Sequence, residues 1–151
     1  MENKKNIIIG VIVFVLVVYA IFAFDIPYKN RKINDGPNTI VTSDIIKIIE
    51  PKAGDTINSP AKFSGSARGN WFFEASFPIE ILAIDGSVLG QGIAQAAGEW
   101  MTENFVDWSA SVSFDPKGNT IGIVKFKRDN PSGMPENDMS VEVPVMFISN
   151  N

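Results

Sequence analysis

Three groups of side chains in this 151-residue chain have types and spacings that could do chemistry. Glu99, Trp100, Glu103, Asp107 and Trp108 place two indoles among three carboxylates. Paired carboxylates are what glycoside hydrolysis requires. Trp71-Phe72-Phe73-Glu74 sets three aromatic rings before an acid. Trp and Phe at a surface read as a binding edge, because large rings dominate interface energetics. Asp129, Glu136 and Asp138 fall in a Pro/Gly-rich stretch, and carboxylates are the hard oxygen ligands that calcium takes.

Each group also has a structural reading. Trp108 belongs to a run, Asp107–Phe114, in which Trp108, Ala110, Val112 and Phe114 alternate with Ser109, Ser111 and Ser113. That alternation turns Trp108 inward. Rings at 71–73 can plug the end of a core, and this reading is placed ahead of the exposed edge. The acids at 129–138 match no EF-hand loop, and Asn130-Pro131-Ser132-Gly133 reads first as a tight turn. Arg68 with Glu74, and Arg128 with Asp129, read as opposite charges that tie loops together. No catalytic residue, no metal ligand and no cofactor is assigned.

Composition narrows the chemistry further. The chain contains no His and no Cys. A Ser-His-Asp triad, a thiolate nucleophile, a Cys-ligated zinc and a disulfide framework are therefore excluded. The formal net charge is −4. An acidic protein repels phosphate backbones, so nucleic acid is not an expected partner.

The elements that would carry these residues are strands. Short apolar stretches split by turn signals run from residue 45 onward, the pattern of an all-β sandwich. Seven strands are expected: Ile45–Ile49, Ala61–Ala67, Phe77–Ile84, Val88–Ala94, Asp107–Phe114, Thr120–Lys127 and Ser140–Ile148. Asp85-Gly86 suggests a two-residue type I′ hairpin. Pro144 cannot donate to a ladder, which puts the last strand at a sheet edge or a bulge.

Ahead of the strands, Ile7–Phe24 is an uncharged apolar run, preceded by Lys4 and Lys5 and ended by Asp25. Eighteen helical residues span roughly 27 Å, enough for a hydrocarbon core. The run is long for a signal peptide, and Ile21 is a poor residue for cleavage after Ala23. An uncleaved anchor is expected, with the C-terminal part extracytoplasmic. The resulting organisation is a cytoplasmic stub and transmembrane signal-anchor at 1–24, a linker at 25–43 and a β-sandwich domain at 44–151.

Four segments resemble a known family. They are Ile49–Pro60 (Ile-Glu-Pro-Lys-Ala-Gly-Asp-Thr-Ile-Asn-Ser-Pro), Gly65–Pro78 around Trp71-Phe72-Phe73-Glu74, Gly98–Phe105 (Gly-Glu-Trp-Met-Thr-Glu-Asn-Phe) and Arg128–Asp138 (Arg-Asp-Asn-Pro-Ser-Gly-Met-Pro-Glu-Asn-Asp). Together they resemble the immunoglobulin-like domain of bacterial spore germination proteins. The resemblance implies an extracytoplasmic immunoglobulin-like β-sandwich, tethered to a membrane or to other surface modules. It implies a binding or scaffolding role without catalytic residues. The chain departs from well-known immunoglobulin domains in lacking the inter-sheet disulfide and a tyrosine corner.

The candidate ligand-binding residues all lie in these segments: Trp71, Phe72, Phe73, Glu74, Trp100, Asn130, Pro131 and Ser132. The expected function is a membrane-anchored, extracytoplasmic module for protein interaction or scaffolding at the bacterial cell surface, not an enzyme. Its partners would be the membrane, through residues 7–24, and another surface protein or cell-wall component. The alternative is a carbohydrate-binding module reading wall glycan through Trp71 or Trp100. A two-carboxylate hydrolase is the third reading.

Overall fold

A computed structural model of the chain describes residues 40–148. The expected anchor at 7–24 and most of the expected linker lie outside the described residues. Among those residues, no helix is long and apolar enough to cross a membrane.

All seven expected strands form, and two short ones join them. In chain order they are β1 (Val41–Thr42), β2 (Ile46–Glu50), β3 (Thr56–Ile57), β4 (Ala61–Arg68), β5 (Ser76–Ala83), β6 (Val88–Ala96), β7 (Phe105–Val112), β8 (Ile121–Lys127) and β9 (Ser140–Phe147). The additions are β1, which falls in the segment expected as linker, and β3. The alternation that marks the strands in the sequence is the alternation of burial. In β4, Ala61, Phe63, Gly65 and Ala67 are buried and Lys62, Ser64, Ser66 and Arg68 face outward. Such a period lets each strand bury one face and wet the other.

The strands hydrogen-bond in the order β1-β2-β4-β7-β6-β5-β8-β9-β3. This is one curled sheet rather than two separate ones. Its two halves face each other: Phe63 on β4 meets Phe126 on β8 edge to face, with ring centroids 5.9 Å apart. The seam is thin, because β6 and β7 pair only through Gln95 with Ser109 and Ala96 with Trp108. The enclosed core is apolar, and no polar or charged residue is buried among the described residues. Its centre is aromatic. Phe77 meets Trp71 and Trp108 nearly at right angles, at 6.2 and 5.1 Å.

Two local expectations need correction. The β5–β6 connection is not a two-residue I′ turn, since only Gly86 has a positive φ there (86°). Gly86 N donates to Ala83 O, and Ala83 N donates to Ser87 O. That is the three-residue hairpin closed by a left-handed glycine. The edge expectation for Pro144 holds over most of β9, which is flanked on its outer side only by β3 at Met146 and Phe147.

Candidate interaction site at the loop end of the sheet

Antiparallel order brings distant segments to one end of the domain. Arg68, the last residue of β4, lies beside Phe105, the first of β7. Ser76 lies beside Gln95, and Lys127 beside Ser140. The connections 69–75, 97–104 and 128–139 therefore emerge together. They are the segments that carry three of the four sequence motifs.

Hydrogen bonds to residues 69–71 fasten the other two loops. Gly69 N donates to Thr102 O at 3.1 Å, and Asp129 N donates to Trp71 O at 3.2 Å. The approach at Gly69 is close: a Cβ there would overlap the carbonyls of Trp100 and Thr102. Two arginines complete the brace. Arg68 donates from Nε to Asp44 O at 2.6 Å and from Nη1 to Glu103 O at 2.7 Å. Its guanidinium lies over the Phe105 ring, as does the Lys47 ammonium. Arg128 donates from Nε to Asn70 O at 2.9 Å.

The expected ion pairs of Arg68 with Glu74 and Arg128 with Asp129 do not form. The two ion pairs among the described residues are Lys125 with Glu142 and Lys127 with Glu80, both on the sheet. The physical reason is that loop ends leave carbonyls without partners, and a guanidinium fork reaches them with several donors.

The predicted site residues separate into three groups. Trp71 and Phe72 are core: Trp71 is 1% exposed, and both rings pack on Phe77. Neither offers a face to a ligand, which corrects the reading of an exposed Trp71. Trp100 is half-buried against the same core. Asn130 and Ser132 brace their own loop. Asn130 Nδ2 donates to Met134 O (2.9 Å) and to Asp138 Oδ1 (2.7 Å), Ser132 Oγ donates to Asn130 Oδ1, and Asn137 Nδ2 donates to Ser132 Oγ. Asp138 is thereby engaged within the loop. No group of three or more acids among the described residues is arranged to hold a metal. Glu99 accepts from Met101 N at 3.3 Å.

Phe73, Glu74 and Pro131 are exposed. Glu74 and Ala75 have φ of 50° and 60°, while Phe73 and Ser76 exchange both backbone bonds. Two successive positive φ values inside such a bridge are the mark of a type I′ turn. Neither residue has the freedom of glycine, so the turn is strained, and it holds Phe73 at the surface.

Beside exposed acids (Glu74, Glu99, Glu103, Glu136 and Asp138), the loop end presents large apolar side chains outward. Phe73, Met101 (74% exposed), Met134 and Met139 are all surface residues of these loops or of their immediate strand junction. Sequence reasoning passed over the three methionines, because isolated residues in loops carry no periodic signal. Two shallow clefts, of about 320 and 520 Å³, lie elsewhere, and no residue of the three loops lines either.

The family described as the immunoglobulin-like domain of bacterial spore germination matches residues 45–135, more than half of the chain. The match ends before β9, which completes the sheet. No curated protein and no solved structure matches the chain.

Proposed function

The chain belongs to the family of immunoglobulin-like domains of bacterial spore germination, and on that premise we propose that it is a membrane-anchored, extracytoplasmic module that binds another surface protein. The anchor is the apolar run at 7–24, and the binding surface is the loop end. The observation that carries the reading is the braced loop end itself. Three loops are fixed to one another by backbone and arginine bonds, and they display Phe73, Met101, Met134 and Met139 at the surface. Rigidly positioned loops are common carriers of recognition. Methionine is polarizable and adaptable, which suits it to protein contacts.

A binding role is also favoured by a sequence without His or Cys. The glycan reading depends on an indole face open to a sugar ring. The burial of Trp71 and Trp108 weighs against it and leaves only the half-buried Trp100.

Protease treatment of intact cells carrying a C-terminal tag tests the placement. Loss of the tag from a full-length product, without lysis, is expected. A protected tag would put the domain in the cytoplasm and overturn the proposal.

A further inference from the structure

We propose that the outer face of the β5–β8–β9 layer is a self-association surface, on which a second copy of this chain docks face to face. Register defines the surface. Val88 on β6 is opposite Leu82 on β5, Leu82 is opposite Ile123 on β8, and Ile123 is opposite Pro144 on β9. The next row pairs Ile121 with Met146. Ile84 and Ile148 continue the same face just beyond the ends of β5 and β9. The intervening residues Ile81, Val124, Val143 and Val145 point the other way, into the core.

Outward positions of a sheet that faces water are normally polar. Here that rule fails over one half of the face, while the other half is polar except for Ile93 on β6, which is opposite Pro78 and 58% exposed. The polar half is the row Glu80, Lys125 and Glu142, with Lys127 beside it. The apolar half leaves Ile84 61%, Ile121 53%, Ile148 47% and both Val88 and Met146 45% exposed. Those side chains offer on the order of 500 Å² of apolar surface, the size of patch that on a monomer is often functional. With its charged flank the face approaches the roughly 800 Å² that each partner gives to a standard interface.

β3 covers β9 at Met146 and Phe147, and Pro144 has no amide to offer.

Charge selects the occupant. Two copies of a chain with net charge −4 repel at most approaches. On the strands of this face the charges balance, because Lys125 pairs with Glu142 at 3.3 Å and Lys127 with Glu80 at 3.1 Å, while Asp85 stands in the turn between Ile84 and Val88. Two copies related by a two-fold axis through the apolar half bury that half together. Each copy's charged row then lies on the rim. A lipid surface would instead call for a rim with excess positive charge, which this face lacks. The surface shares no residue with the loop end.

The chain has no cysteine, so introduced thiols report position without background. The test uses the full chain in its membrane and a short bismaleimide. Ile121→Cys probes the face, and Ser111→Cys, exposed on β7 in the other layer, is the control. Roughly ten-fold more covalent dimer from Ile121→Cys than from Ser111→Cys is expected, as the raised effective concentration of a docked pair requires. Adding Met146→Lys, an exposed substitution, is expected to abolish the difference. No dimer at Ile121→Cys, equal yields at the two positions, an adduct of unlike mass, or a difference that survives Met146→Lys would each overturn the proposal.

Discussion

Arg128 Nε donates to the carbonyl of Asn70 at 2.9 Å, joining residues 58 positions apart in the chain. Arg68 does the same work on the other side, gripping Asp44 O and Glu103 O. Replacing either arginine by Ala is expected to lower stability by about 1.5–3 kcal/mol, the range of a hydrogen bond to a charged group. In a domain of this size that lowers the melting temperature by roughly 4–8 °C per kcal/mol. Lys is expected to rescue Arg68 only in part, since it has no fork. Thermal unfolding followed by circular dichroism measures both, and an unchanged Arg128→Ala melt would contradict the brace.

Gly69→Ala is expected to destabilise by about 1–3 kcal/mol and to loosen the 97–104 loop. The new methyl meets two backbone carbonyls, which cannot swing aside as a flexible side chain would. Limited proteolysis reads the loop directly, and faster cleavage within 97–104 is the expected result.

Ala75→Gly is expected to stabilise, although Gly normally weakens a fold. At φ 60° the alanine is in the left-handed region, where glycine carries no steric penalty. A gain of up to about 1 kcal/mol would show as a higher melting temperature. A lower one would show that the turn is not strained.

Asp85 gives the acid limb a defined contributor. Bonding from the Ser87 amide, first, and the Ser87 side chain holds its carboxyl below its usual value. A depressed folded pKa adds stability that is present above the unfolded value of about 3.9 and is lost as pH falls through the folded value. Asp85→Asn is therefore expected to lose less stability than the parent on acidification below about pH 4. Melting temperatures across that range measure the difference, and parallel profiles for the two proteins would contradict it.

The period-2 pattern made the strands legible. Trp108, Val112 and Phe114 are buried as their alternation requires, as are Val124, Phe126, Val143, Val145 and Phe147. The turns were less legible, because glycine signals freedom while tertiary packing can impose a left-handed pair elsewhere. Asp85-Gly86 has the composition of a type I′ turn, yet Glu74-Ala75 has the conformation, held between the buried Phe72 and Phe77. The site was legible as motifs but not as geometry. Nothing local says that Thr102 meets Gly69 or that Asp129 meets Trp71, since both contacts follow from antiparallel strand order. The arginines were misread for the same reason, as acids are visible in a sequence and unpaired carbonyls are not.

The most direct test of a protein-binding loop end is site-specific photocrosslinking of the full chain in intact cells. A photoreactive residue at Met101 or Met134 is compared with one at Ser111, exposed on β7. The account predicts a protein adduct of discrete mass at Met101 and Met134 and none at Ser111. No adduct at either methionine, or the same adducts at Ser111, would contradict it.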